Sequence, residues 1–547
     1  MNAQDYTICI TNFSRPDHLR RCLESVKNLP NVVVASYGAD VVLHQAIIDE
    51  VRPGTRCYLT EADYGCNRLW LQSVVLAETK WVVILHDDDQ LVPEFEDALA
   101  SVDTSGAGFI GWDGTCDFYD GRNAEVWYPF SKPLETGLLS SLPLIDAVTR
   151  PNSGMHESHG MVASPVTMML QKDIAMAVLS WCETGLKDFC ARPTMMIGNE
   201  IALLFGHLKI SSKWFHIAKP LVKTGYWAGS ETVKWYEGSN PELMNLYEGV
   251  RNKFGKEQFL FRKDKIAPIF THVYTTGGYN DRKQLATETW YSEFKTIEKD
   301  MLIVPLCVDD RDFSRSSKSF GDVRALPFVR DIITKANSFG YGPNDVIMLT
   351  NDDVCLVEGT LQKMITRAKE IGSTYAHRRD FHGWMIDRLK NKKLENNLTL
   401  DELKIGQSHS GTDTILMTRD WWFNIGEAHL PDYVIGCEAW DTIMIMIMRM
   451  SGSGWGFKNS TYHQYHGGWW EDNANRFTNI GQLHNRKLSK EKLISYGVYK
   501  GEFEPHAAID PAYPPNPPGF DDDVSETMPC YIGLQNHSQD NVNWNTP

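Results

Sequence analysis

Trp81-Val82-Val83-Ile84-Leu85-His86-Asp87-Asp88-Asp89 is the stretch on which the reading of this chain turns. An unbroken apolar run rich in β-branched residues fits a strand buried on both faces of a parallel sheet, and three carboxylates follow where that strand should end. In an open α/β sheet, ligands gather at the carboxyl ends of the strands, so a divalent cation and an anionic ligand would meet here. Adjacent carboxylates repel one another unless a cation or hydrogen-bond donors offset their charge. An isolated acidic triplet is as readily a solvated turn or a helix cap.

A second occurrence changes that balance. Asp345-Val346-Ile347-Met348-Leu349-Thr350-Asn351-Asp352-Asp353 again runs an apolar strand into acidic residues. Ser158-His159, Met168 to Asp173, Ile197-Gly198-Asn199-Glu200 and Phe215-His216 follow the first cluster. Ser408-His409, Ile415 to Asp420, Ile435-Gly436-Cys437-Glu438 and Tyr462-His463 follow the second, in the same order. Ordered recurrence predicts two diverged copies of one domain. A chain of 547 residues accommodates them, and the expected division is 1–261, 262–500 and a Pro-rich, acidic extension over 501–547.

Composition narrows the class. A formal charge of −16 gives no general attraction to polyanions, so nucleic-acid binding would need a local basic groove. Arg378, Arg379, Arg388, Lys390, Lys392 and Lys393 are the candidates for one. The chain reaches Asp5 before any apolar run and holds no span of about 20 apolar residues, so neither a signal peptide nor a membrane helix is expected. That places the protein in the cytoplasm. The 11 cysteines include no Cys-x-x-Cys pair and read as buried free thiols.

From the amino terminus, Tyr6 to Ile10 reads as a strand, Thr11-Asn12-Phe13-Ser14-Arg15-Pro16 as a loop, and Asp17 to Lys27 as a helix with Leu19, Leu23 and Val26 on one face. Val32 to Ala35 is the next strand and Ser36 to Asp40 a turn. Strands alternating with helices imply a parallel, wound sheet. The Thr-Asn-x-x-Arg-Pro strand end, the Leu-x-x-Cys-Leu-x-Ser helix, Asp63-Tyr64-Gly65-Cys66-Asn67-Arg68 and the acidic strand end together resemble the family-two glycosyltransferases of GT-A fold.

The resemblance implies an α/β chain of two tandem GT-A domains, Rossmann-like nucleotide-diphospho-sugar transferase units. It implies metal-dependent transfer of a sugar, with inversion, from a nucleoside-diphosphate sugar (a UDP-sugar foremost) to an acceptor hydroxyl. Matching positions put Thr11, Asn12, Arg15 and Asp40 around the nucleoside, and Gly65, Asn67, Arg68 and Asp87 beside the diphosphate. Ser36 and Tyr37 stand where the family usually has acidic residues, and His86 where the Asp-x-Asp motif often begins.

Carboxylates suit this chemistry because the departing nucleoside diphosphate is an anion that Mn²⁺ or Mg²⁺, held by hard oxygen ligands, stabilises. Asp88 and Asp89 are the expected ligands, with His216 a further candidate, and Glu200 matches the family's acidic base. In the second copy, Arg315 and Arg324 are candidates for phosphate contact, Asp352 for the nucleotide and Asp353 for the cation. Glu438 and Asp441, one helical turn apart, are alternative bases. His463 and His466 are alternative late cation ligands.

The acceptor stays open among a glycan, a protein and a hydroxymethylated pyrimidine in DNA, the last modified by some phage-encoded enzymes of this general resemblance. A reading of another class is a noncatalytic sugar- or nucleotide-binding protein whose acidic clusters merely cap helices.

Overall fold

The computed structural model describes residues 1–118, 125–127, 133–141, 165–185, 202–204, 206–207, 211–226, 266–275, 280–309, 312–320, 326–381, 407–408, 412–437, 440–464 and 480–495. The chain divides into two compact units, Met1–Ala267 and Pro268–Pro547. Both are α/β, each built on one mixed sheet, as expected of two tandem Rossmann-like GT-A domains.

In the first unit the strands are β1 (Tyr6–Phe13), β2 (Val32–Tyr37), β3 (Arg56–Thr60), β4 (Trp81–His86), β5 (Asp89–Leu91), β6 (Phe109–Phe118), β7 (Glu125–Trp127), β8 (Gly137–Ser140), β9 (Met168–Gln171) and β10 (Lys213–Tyr226). They lie in the order β3-β2-β1-β4-β9-β6-β10-β5, with β7 on β6 and β8 on β10. The first four are mutually parallel, and β9 then enters antiparallel to both β4 and β6. Val82 to Leu85 are wholly buried, as an apolar run in a central parallel strand requires. The helix Pro16–Val26 buries Leu19, Cys22, Leu23 and Val26, the i, i+3, i+4, i+7 stripe of an amphipathic helix. The helix Cys66–Val75 is buried on every side, and a glycine with φ 86°, Gly65, precedes it. Only glycine adopts that backbone conformation freely.

One close approach bears on the site. A Cβ added at Gly38, just beyond β2, would lie 2.3 Å from Ser14 Oγ and 3.2 Å from Ser14 Cα. Ser14 itself is left-handed, with φ 61°. The absent side chain at position 38 thus makes room for a strained turn that presents Arg15.

In the second unit the strands are β11 (Ile269–Thr275), β12 (Leu302–Val308), β13 (Val346–Thr350), β14 (Val354–Leu356), β15 (Ser373–Phe381), β16 (Gln407–Ser408), β17 (Thr414–Thr418) and β18 (Trp455–Gln464). Their order is β12-β11-β13-β17-β15-β18-β14, with β16 on β15. Set against β2-β1-β4-β9-β6-β10-β5, it matches strand for strand, and every pairing has the same parallel or antiparallel sense. The internal repeat read from sequence fragments is therefore a repeat of topology.

Register refines the match. Trp81 lies between Tyr6 and Gln171, and Val346 between Phe270 and Thr418. Superposing these two residues puts His86, Asp87 and Asp88 on Asn351, Asp352 and Asp353, and Asp89 on Val354. The far side of the sheet agrees, because Asp89 pairs with Thr224 and Val354 with His463. The counterpart of His463 is therefore Thr224, not His216, which overturns the fragment match Phe215-His216 with Tyr462-His463. His216 pairs with Gly111 near the start of β10. A short motif cannot set strand register, which is fixed by long-range pairing. No helix among the described residues is long and apolar enough to cross a membrane.

Two features of the second unit yield stability predictions. Glu293, fully buried, accepts the Gly359 and Leu361 N–H groups (2.7 and 2.8 Å) at the start of the helix Thr360–Ile371. The N-cap residue there, Gly359, has no side chain to do so. Glu293→Ala should cost about 2 kcal/mol in chemical denaturation, whereas Glu288→Ala, on the exposed face, should stay within about 0.5 kcal/mol. His272 is buried against Trp290, 4.5 Å between ring centroids, with neither nitrogen hydrogen-bonded. Burial pushes its pKa down to about 3. Between the ordinary value of about 6.5 and that value the unfolded chain binds the extra proton, so this residue subtracts stability as pH falls through that window. His272→Phe should lessen the loss of denaturation midpoint between pH 7 and pH 4, and an unchanged slope would refute the assignment.

Candidate functional site

In the first unit the ends of β1 and β4 are clasped together. The Asp87 N–H donates to the Thr11 carbonyl at 3.0 Å, and the Phe13 N–H donates to Asp87 Oδ2 at 3.2 Å. Arg15 closes over the acidic turn. Its Nε donates to Asp87 Oδ2 and its Nη1 to Asp88 Oδ2, each at 3.0 Å, while Nη2 reaches Asp87 Oδ1. A planar guanidinium spanning two carboxylates is the compensation that adjacent buried acids need. Burial still drives the Asp87 carboxyl upward, against the pull of Arg15.

Asp88 also belongs to a second cluster, which the ion pair only partly compensates. His86, Asp88 and Asp89 each offer a ligand atom, all within 4.8 Å of one another. His86 Nδ1 is 3.4 Å from Asp89 Oδ2, and the imidazole stacks on Trp70 with centroids 5.3 Å apart. Asp89 is 1% exposed, yet neither of its oxygens makes a well-formed hydrogen bond, nor does His86 Nε2, and the nearest donors to Asp89 are the Thr224 hydroxyl across the sheet and the main chain of His86. Burial holds the Asp89 carboxyl well above its ordinary range and pushes His86 down to about 4, so the imidazole is neutral at physiological pH. Buried polar atoms are nearly always satisfied. Orphaned carboxylate oxygens with a neutral imidazole nitrogen form a donor set that fits a divalent cation.

The other sequence candidates of this unit are spread more widely. Thr11 and Asn12 are buried at the end of β1. Asn12 Nδ2 donates to Ser36 Oγ at 2.7 Å, and Ser36 Oγ lies 2.9 Å from His44 Nδ1. Ser36, noted in the sequence only as a departure from an acidic position, and His44, which the sequence did not single out, thus join the loop assigned to the nucleoside. Asp40 caps the helix Val41–Val51, accepting the Leu43 N–H at 2.8 Å. Asn67 Nδ2 donates to the Leu179 carbonyl at 3.0 Å, and Arg68 pairs with Glu183 at 3.1 Å. Both tie the helix Cys66–Val75 to the helix Lys172–Gly185. His216 Nε2 lies 3.4 Å from Asp113 Oδ1, deep in β10 and β6.

The second unit compensates its acids differently. His463 sits between two carboxylates, with Nε2 3.1 Å from Asp353 Oδ2 and Nδ1 3.1 Å from Asp380 Oδ1. Burial lowers its pKa, but the bonds to Asp353 and Asp380 prevail and the net shift is upward. Arg378 Nε is 3.0 Å from Asp380 Oδ1, and its Nη1 pairs with Asp413. Asp441 accepts the Thr412 N–H at 3.2 Å, and burial raises its carboxyl. Asp352 is buried at the turn. Arg315 is engaged by Asp331 and Asp432 and lies over the Phe328 ring. Of the basic residues considered for DNA, Arg378 is held internally and Arg379 donates to Asn459 at 2.7 Å. Glu200, Arg324, Glu438 and His466 lie outside the described residues, as do Arg388, Lys390, Lys392 and Lys393.

No protein-family model matches the chain, and no curated protein does. Among solved structures it is similar to residues 1–349 of S. aureus TarS at 14% identity and a TM-score of 0.29, over 41% of this chain and 60% of that one. It is also similar to the same fragment in complex with UDP (12% identity, TM-score 0.31, 49% and 70% of the two chains). The fragment in complex with UDP-GlcNAc aligns at 12% identity and a TM-score of 0.31, over 49% and 71%. The chain thus spans less than two thirds of the first of these. Likenesses of this extent carry no function across.

The ion pair over the acidic turn is open to test. Arg15→Met should destabilise the first unit by about 2 kcal/mol, reduced from a fully buried pair because the Arg15 side chain is 23% exposed. Asp87→Asn placed in that variant should return part of the loss. Strictly additive effects in a double-mutant cycle would exclude the interaction.

Proposed function

We propose that the chain is a cation-dependent glycosyltransferase, moving a sugar from a nucleoside-diphosphate sugar to an acceptor hydroxyl with inversion. The observation that supports this reading best is the convergence of His86, Asp88 and Asp89 at the carboxyl end of a central strand, with the buried His86 Nε2 and both Asp89 oxygens left unsatisfied beside the Arg15-bound Asp88. Cations and phosphates meet at such strand ends in wound α/β sheets. Bound there, Mn²⁺ or Mg²⁺ would offset the charge of the departing nucleoside diphosphate.

The protein's own groups have distinct tasks in this reading. Asp88 and Asp89 supply carboxylate oxygens, and His86, neutral and fixed by Trp70, supplies a nitrogen. Arg15 keeps the turn in shape by balancing Asp87. Thr11, Asn12, Ser36 and His44 line the end of the first two strands, where the resemblance puts a nucleoside, with a UDP-sugar the first donor to try. Inversion needs a carboxylate to take the acceptor proton. Glu200 has that role in the first unit, and Glu438 or Asp441 in the second. The acceptor classes remain a glycan, a protein or a hydroxymethylated DNA base, in the cytoplasm.

The deciding experiment incubates the full chain with a panel of nucleotide sugars and Mn²⁺ or Mg²⁺ and measures nucleoside-diphosphate release. At least one sugar should be hydrolysed in a chelator-sensitive manner. Asp88→Asn combined with Asp353→Asn should lower that rate about a hundredfold or more, and the single variants apportion it between the units. Cation-dependent nucleotide binding with no turnover of any sugar would favour the noncatalytic reading instead.

A further inference from the structure

The two units keep two acids in common, Asp87 with Asp352 and Asp88 with Asp353, and differ in the other donors around the second pair. In the first, the remaining donors come from the turn itself, His86 and Asp89. In the second, those places hold Asn351 and Val354, and the donors come from across the sheet. His463 stands where the first unit has Thr224, and Asp380, paired with His463 in the sheet, stands where it has Cys116.

We propose that Asp380 is a positioning residue for a cation centre formed by Asp353 and His463, a device that the first unit does not have. This rests on the cation-dependent reading above. Nδ1 of His463 lies 3.1 Å from Asp380 Oδ1 and Nε2 lies 3.1 Å from Asp353 Oδ2, so Asp380 fixes the ring orientation, and once Nε2 has given up its proton the Nδ1–H tautomer is the one Asp380 favours. An imidazole nitrogen and a carboxylate oxygen facing each other across that gap are a donor pair for a divalent cation. Metal-binding histidines commonly give their other N–H to a carboxylate, which fixes the ring and raises its basicity.

Asp380 is itself held. It is 4% exposed, and Arg378 Nε meets the same oxygen at 3.0 Å while the other arm of that guanidinium engages Asp413. Asp413 in turn sits at the turn, because its carbonyl accepts the Asn351 N–H at 3.3 Å. The chain Asp413–Arg378–Asp380–His463–Asp353 therefore begins and ends at the acidic turn of the second unit.

The test follows Mn²⁺ uptake by electron paramagnetic resonance in the full chain carrying Asp88→Asn, which silences the first unit. That protein should retain a Mn²⁺ site that Asp353→Asn removes. Asp380→Asn should weaken it about 10- to 100-fold with the melting temperature still showing a folded chain, and Asp380→Glu should recover most of the affinity. A readout without substitution at Asp380 uses the same Asp88→Asn chain labelled with ¹⁵N-histidine and loaded with Zn²⁺. The resonance lost in His463→Gln should report a protonated Nδ1 and a metal-bound Nε2.

If Asp353→Asn abolishes uptake while Asp380→Asn leaves the affinity unchanged, the cation reading stands and the positioning role is overturned. Metal on Nδ1 overturns it equally. If the Asp88→Asn chain takes up no Mn²⁺, the second unit is no cation site and the inference falls with that part of the proposed function.

Discussion

Carboxylates packed at the end of a buried strand have to be balanced, and the manner of balancing shapes both halves of this protein. In the first unit a guanidinium from the loop after β1 spans Asp87 and Asp88. In the second an imidazole and a guanidinium thread between three aspartates, Asp353, Asp380 and Asp413. The first arrangement does not use up the whole cluster. Asp89 and His86 keep buried atoms without partners, and such atoms mark a place where the fold has sacrificed stability for something other than itself.

Duplication explains why both solutions occur in one chain. The strand orders coincide and so do the senses of pairing, so each unit offers the same few positions around the turn, some on the turn and some across the sheet on the last long strand. A site that needs about three donors can draw on either group. Once the retained aspartate is in place, a histidine gained on one side makes one on the other dispensable, and the two copies have settled on opposite choices.

Much of this was legible in the amino-acid sequence, and the parts that were not share a cause. Trp81 to Leu85 and Val346 to Leu349 announce buried strands because an unbroken apolar run has few other uses, and the acids that follow announce the strand ends. Local order was readable in the same way: Leu19, Leu23 and Val26 do form the inner face of a helix. What stayed hidden depends on contacts between distant segments. Thr224 has no chemical signature in its own neighbourhood, and His216 imitates His463 in local sequence while sitting at the wrong level of its strand. Asn67 and Arg68 match a diphosphate motif, yet their side chains are engaged by the helix Lys172–Gly185, whose position no local pattern discloses. Arg15 was expected around the nucleoside, and the partners it has in the structure are the protein's own acids.

The missing side chain at Gly38 carries a lesson about where tolerance ends. Ser14 occupies the space a Cβ would take, and Arg15 is the next residue along. A side chain at position 38 would press the serine outward and disturb the guanidinium's hold on the aspartates. An evolving lineage could therefore alter the electrostatics of this crevice without touching a single ionisable residue, through a substitution that looks innocuous in composition and lies outside every charged motif.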